Sequence, residues 1–69
     1  MRPPLRIDLN GTAIEIAARS LDEALSELGY AGGALATALN GRFVPATART
    51  ETRLHDGDRI EVLAPMQGG

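Results

Sequence analysis

Leu5-Arg6-Ile7-Asp8-Leu9-Asn10-Gly11-Thr12-Ala13-Ile14-Glu15-Ile16 alternates large apolar residues with polar or small ones on both sides of Asn10-Gly11. Asn-Gly between alternating runs is the strongest short hairpin signal, because a type I′ turn needs positive φ at both central residues. A two-residue turn pairs Leu9 with Thr12, Ile7 with Ile14 and Leu5 with Ile16. The large apolar residues then face one another on one side, as a half-buried sheet requires.

Outward from this hairpin, Ser20 with Glu23 three residues later forms a capping box. Leu21, Ala24, Leu25 and Leu28 give a helical stripe, and Asp22 and Glu23 suit the positive N-terminal end. Gly29 supplies a left-handed stop. Such a helix is too short to stand alone and must pack on the sheet. Tyr30 to Gly33 reads as a loop. In the next run Leu35, Thr37 and Leu39 alternate with Ala34, Ala36 and Ala38 before a second Asn-Gly, at Asn40-Gly41. The alanines also permit a helix, but the Asn-Gly turn and the following Arg42-Phe43-Val44-Pro45 favour strands. Pro45 to Arg53 reads as irregular, with Leu54 as a core anchor. His55-Asp56-Gly57-Asp58 is a turn, and Arg59 to Leu63 is the last strand, with Ile60 and Val62 on one face. One helix on one face of a mixed sheet of four to five strands is an α+β, β-grasp-like arrangement. The expected organisation is a leader over 1–4, a domain over 5–64 and a tail over 65–69.

Composition limits the function. The chain has 69 residues and a net charge of -2, with 43% hydrophobic and 23% charged residues. That balance fits one globular domain and argues against disorder. At this length folding buries only about 60% of the unfolded surface, so the core is small. There is no cysteine, hence no disulfide and no thiolate metal site. All seven basic residues are arginines, scattered along the chain. No nucleic-acid footprint emerges, and no lysine side chain is available as an acyl acceptor. No stretch approaches the roughly 20 apolar residues of a membrane helix, and no signal-peptide pattern follows Met1-Arg2-Pro3-Pro4. A cytoplasmic protein without membrane contact is the expectation.

Enzyme chemistry finds little to work with. His55 is the single histidine and has no nucleophile pattern around it. Asp56 and Asp58 flank Gly57 but lack the further oxygen ligands of a calcium loop, and turn chemistry accounts for them. Ser20 reads as a cap. Tyr30 reads as packing behind the helix stop. Gly32-Gly33 lacks the spacing, lysine and Ser/Thr of a phosphate loop. Neither a catalytic residue nor a metal ligand is expected within the domain.

The chain ends in Ala64-Pro65-Met66-Gln67-Gly68-Gly69. Pro65 cannot continue a ladder and turns the chain away from the sheet. Gly68 and Gly69 have no side chains, so this end can thread a narrow channel. A terminal carboxylate on such an arm is a group another protein's active site can receive. Taken alone a Gly-Gly end is weak evidence, since many chains end in flexible glycines.

The context is more specific. The strand ending in Asn40-Gly41, then Val44-Pro45, Leu54, Gly57-Asp58, Ile60-Glu61 and Gln67-Gly68-Gly69 together resemble the ThiS family, the sulfur carriers of thiamine biosynthesis. Asn10-Gly11 and the helix over 21–29 fit as well, so the resemblance covers nearly the whole chain. Ala46 departs from it, since many members carry a basic residue after Val-Pro; this bears on one partner contact. The resemblance implies a ubiquitin-like β-grasp fold and a carrier rather than an enzyme. It implies that a ThiF-like activating enzyme uses ATP to adenylate the carboxylate of Gly69, and that the carrier binds no cofactor of its own. Sulfur from cysteine, supplied through a cysteine desulfurase, then makes a thiocarboxylate that is delivered to a ThiG-like thiazole synthase. Gly68, Gln67 and Met66 would thread into the partner's active site.

By the two-residue period, Arg59, Glu61 and Leu63 point away from the helix, and Phe43 lies on the face opposite Val44. Phe43 and Leu63 either form an apolar docking patch or cover the sheet edge. Three other readings remain open: the small subunit of molybdopterin synthase, a ubiquitin-like modifier joined to lysines, and a β-grasp binding module with an inert tail. Gln67 and the short length favour the thiamine branch.

Overall fold

The computed structural model describes residues 2–30 and 35–64. It contains β1 (Leu5–Leu9), β2 (Thr12–Ile16), α1 (Leu21–Glu27), β3 (Ala36–Leu39), β4 (Arg42–Val44), a 3-10 helix (Ala46–Glu51) and β5 (Arg59–Leu63). The five strands form one sheet in the order β2-β1-β5-β3-β4. The last strand is therefore central, antiparallel to β3 and parallel to β1. The α+β, β-grasp arrangement expected from the element order is the one observed.

Both hairpins turn as their Asn-Gly pairs require. Asn10 and Gly11 have φ of 50° and 90°, and Asn40 and Gly41 have 52° and 83°. In the first hairpin Leu5 faces Ile16, Ile7 faces Ile14 and Leu9 faces Thr12, as the alternation predicts. In the second, Thr37 faces Val44 and Ala38 faces Phe43. Residues 36–39 are a strand, which resolves the helix alternative for the alanine-rich run.

The helix begins and ends on specific bonds. The Glu23 N–H donates to the Ser20 hydroxyl at 3.2 Å. The returning Glu23 carboxylate takes the Arg19 N–H at 3.1 Å, one residue earlier than the simplest capping box. This bond is the main cause that holds the Glu23 carboxyl below its ordinary pKa. At the other end, the Tyr30 N–H donates to the Leu25 carbonyl and the Gly29 N–H to the Ser26 carbonyl, with Gly29 at φ 88°. That is a Schellman stop, and Tyr30 packs on the core behind it. Glu27 sits where the helix dipole disfavours a carboxylate. Its oxygens instead accept the Ala17 and Ala18 N–H groups at 2.9–3.1 Å, tying the end of β2 to the helix.

The core lies between α1 and one face of the sheet. Ile7, Ile16, Leu21, Ala24, Leu25, Val44, Leu54, Ile60 and Val62 are all buried there. Thr37 is buried among them; its hydroxyl donates to the Val44 carbonyl, so no polar atom is stranded.

The segment expected to be irregular, Pro45 to Arg53, holds the 3-10 helix Ala46–Glu51. Its sequence has no apolar periodicity to announce a helix, and none of its residues is fully buried. Its end is fixed from outside: the Leu21 N–H donates to the Thr52 carbonyl and the Leu54 N–H to the Arg19 carbonyl, both at 2.9 Å. The crossing thus satisfies one free donor of the helix start while setting Leu54 into the core. The expectations for the Gly32-Gly33 loop and for residues 65–69 lie outside the described residues.

Two expected outcomes follow from the packing and the cap. Ile60→Ala removes a side chain that is 1% exposed and should cost about 2–5 kcal/mol in denaturant unfolding, whereas Leu63→Ala on the open face should stay within about 0.5 kcal/mol. Glu23 has a folded pKa below its unfolded value. Its contribution is therefore complete above the unfolded pKa and lost as pH falls through the folded pKa. Glu23→Gln should remove that acid-side component from the pH dependence of thermal unfolding.

Candidate functional site

The helix covers one face of the sheet and leaves the other open. Register decides what the open face presents. Ala36 stands opposite Leu63, and Ala38 stands between Glu61 and Phe43. The two alanines of β3 form a low floor between a taller residue on each side. The result is an apolar groove of about 180 Å³, with Phe43 as one wall and Leu63 as the other. Phe43 is 69% exposed and Leu63 72% exposed. Of the two readings open for this pair, covering a sheet edge does not fit Leu63, because β5 is the central strand. Farther along the same face, Asp8, Arg59 and Glu61 line a more polar groove. The open face is thus apolar beside the end of β5 and charged beside its start.

Leu63 is the last residue of β5 and Ala64 is exposed beyond it. The apolar groove therefore lies beside the point where the chain leaves β5. Inward Ile60 and Val62 and outward Arg59, Glu61 and Leu63 fall as the two-residue period predicts. Met66, Gln67, Gly68 and Gly69, the residues expected to enter a partner, lie outside the described residues.

The residues set aside as turn and cap groups do that work. The Asp56 carboxylate accepts the Arg6 N–H at 2.8 Å, and the Asp58 carboxylate accepts the His55 N–H at 2.8 Å. Gly57, at φ 89°, completes the turn and donates to the Arg6 carbonyl. These bonds lay the start of β5 alongside β1. His55 stands in solvent, 3.9 Å from Asp58. Among the described residues no group of three or more His, Asp or Glu side chains gathers into a possible metal site.

Sequence reasoning missed the side chains of the two turn asparagines. Asn10 and Asn40 were read only for their backbone conformation. Each also lends its amide to β5. The Arg59 N–H donates to Asn40 Oδ1 at 2.8 Å, and Asn40 Nδ2 donates to Asp58. The Val62 N–H donates to Asn10 Oδ1 at 2.9 Å, and Asn10 Nδ2 donates to the Val62 carbonyl at 3.2 Å. The available signal was chemical: asparagine carries both a donor and an acceptor, which a glycine in the same turn would not.

Comparison with known proteins matches this architecture. The ThiS family model matches residues 7–69, which includes Gln67-Gly68-Gly69. The crystal structure of the thiamine biosynthesis protein (ThiS) from Geobacter metallireducens is similar at a TM-score of 0.79 and 29% identity. That similarity covers 94% of this chain and 100% of the other. No curated protein sequence matches the chain. With the family model matching residues 7–69 and the fold in agreement over nearly the full length, the chain belongs to the ThiS family.

Proposed function

We propose that the chain is a sulfur carrier of thiamine biosynthesis, and that its reacting group is the carboxylate of Gly69. The observation that carries this reading is the family match through Gly69, on a domain whose central strand ends at Leu63, six residues before it.

A carboxylate is a poor electrophile, so the chemistry begins by giving it a leaving group. One Gly69 oxygen attacks the α-phosphorus of ATP on a ThiF-like activating enzyme, and pyrophosphate departs. A sulfur nucleophile, supplied from cysteine by a desulfurase, then attacks the acyl carbon and AMP departs. The desulfurase supplies that sulfur as a persulfide, so the product is an acyl disulfide; a thiol then attacks the donor's sulfur, forms a disulfide with the donor and releases the thiocarboxylate, which a ThiG-like thiazole synthase consumes. The partners carry out the catalysis. The carrier contributes an accessible carboxylate, a slim arm and a surface to hold. ATP belongs to the partner, and the carrier itself uses no cofactor.

The open face supplies that surface. Six residues follow Leu63, and fully extended they reach roughly 20 Å. An enzyme that encloses Gly69 therefore sits close to the root of the arm, where Phe43 and Leu63 are exposed. Covering two large apolar side chains that are otherwise in water favours association. Gln67, together with the match to the ThiS family, favours the thiamine branch over molybdopterin synthesis.

Intact mass after incubation with ATP, the activating enzyme and a sulfur source should show one oxygen replaced by sulfur, with fragmentation placing it on Gly69. No mass change with partners that convert a control carrier would sink the proposal. For the docking face, Phe43→Ser and Leu63→Ser should each raise the KM of the activating enzyme for the carrier about tenfold, with thermal unfolding nearly unchanged. Unaltered steady-state kinetics in both variants would remove this face from the contact.

A further inference from the structure

The parallel ladder between β1 and β5 stops early. The Asp8 N–H donates to the Asp58 carbonyl and the Asn10 N–H to the Ile60 carbonyl, each at 3.0 Å. The next position on this edge of β5 is Val62. A continuing β1 would offer Val62 the carbonyl of residue 10 and the N–H of residue 12. The chain has instead turned away at Asn10-Gly11, with Asn10 at φ 50°. The Asn10 side chain fills both vacated roles: Oδ1 takes the Val62 N–H at 2.9 Å, and Nδ2 reaches the Val62 carbonyl at 3.2 Å. A primary amide has the same donor and acceptor pair as a peptide group, so the ladder gains one more rung without any backbone.

That rung is the last on this side before the arm. On the other side, β3 pairs with β5 as far as Leu63, opposite Ala36. Without the amide, the Val62 N–H and carbonyl, both directed away from β3, would lack protein partners, and only the β3 pairing would hold this end of β5. A strand end held on one edge frays more readily than one held on both. At the opposite end of β5, Asn40 Oδ1 likewise takes the Arg59 N–H, while its Nδ2 donates to Asp58 and its backbone N–H to the Arg59 carbonyl.

Resting on the carrier reading above, we propose that Asn10 is a positioning residue for the reacting end: its side-chain amide latches Val62 and so fixes where the rigid strand stops and the arm begins. A fixed end of β5 limits the number of free residues between the docking face and Gly69 and so bounds its reach. A frayed root lengthens the arm, moves its origin and dilutes the productive placements of the carboxylate.

The test separates the latch from the turn. Asn10→Gly keeps the positive φ that the turn needs and deletes only the amide. Asn40→Gly makes the same change at the far end of β5 and serves as the control. In the Asn10→Gly variant, hydrogen exchange at the Val62 amide should accelerate about tenfold, while the Asp8 amide keeps its protection. The kcat for conversion by the activating enzyme should fall about tenfold; because the Asn10 side chain also lines the groove beside Phe43 and Leu63, kcat rather than KM is the deciding readout. Asn40→Gly should lower global stability yet retain Val62 protection and kcat. Unchanged Val62 exchange in Asn10→Gly overturns the latch. A loosened Val62 with unchanged kcat, or the same fall in kcat in Asn40→Gly, overturns the positioning role. A wild-type chain that is never converted overturns the carrier reading instead; the exchange comparison needs no partner and still decides the latch.

Discussion

The fold rests on the two-sided pairing of β5. The hairpins β1-β2 and β3-β4 are each local, joined by tight turns, and neither touches the other through its own ladder. Only β5 links them, parallel to one and antiparallel to the other. Its inward residues, Ile60 and Val62, also sit at the centre of the core beneath the helix. The strand that joins the two halves of the sheet is therefore also the strand that fills the middle of the core. Isolated hairpins of this length are marginal in water, so the stability of each half depends on the strand between them.

Much of this was legible in the sequence. Alternation around two Asn-Gly pairs set both hairpins, and in the first it set the register residue by residue. The capping serine and Gly29 marked the ends of α1. The inward and outward residues of β5 followed from a period of two, which placed Leu63 on the open face and, by the same count, Phe43. What was not legible was non-local. The central place of β5 depends on the Asp56 and Asp58 carboxylates meeting backbone donors of β1 and of their own turn. The 3-10 helix has no apolar pattern and is held by bonds to Arg19 and Leu21. The amides of Asn10 and Asn40 act on residues far along the chain, so nothing in their immediate neighbourhood signals it. Local rules found the elements, while side chains bonding to distant backbone determined how those elements join.

The sheet divides its labour by face. The helix side is a closed apolar layer in which even Thr37 is satisfied internally. The open side keeps two large apolar side chains above a floor of alanines, and it borders the place where the chain leaves the sheet. Small residues on β3 matter as much as the large ones beside them, since a bulkier floor would fill the groove between Phe43 and Leu63. In the proposed carrier role this puts recognition on the domain and reaction on the arm, and the end of β5 is the joint between the two.

The place of β5 in the chain also bears on biosynthesis. A polypeptide is made from its N-terminus, and elements form as they become available. Both hairpins and the helix precede β5, so each can form early, but the sheet cannot join them until β5, Arg59–Leu63, has been added. A nascent chain that stops short of β5 is not a shorter version of the domain; it is two hairpins and a helix without the strand that joins them. The route by which this protein acquires its fold therefore ends on its last strand, so the sheet closes only when nearly all of the chain has been made.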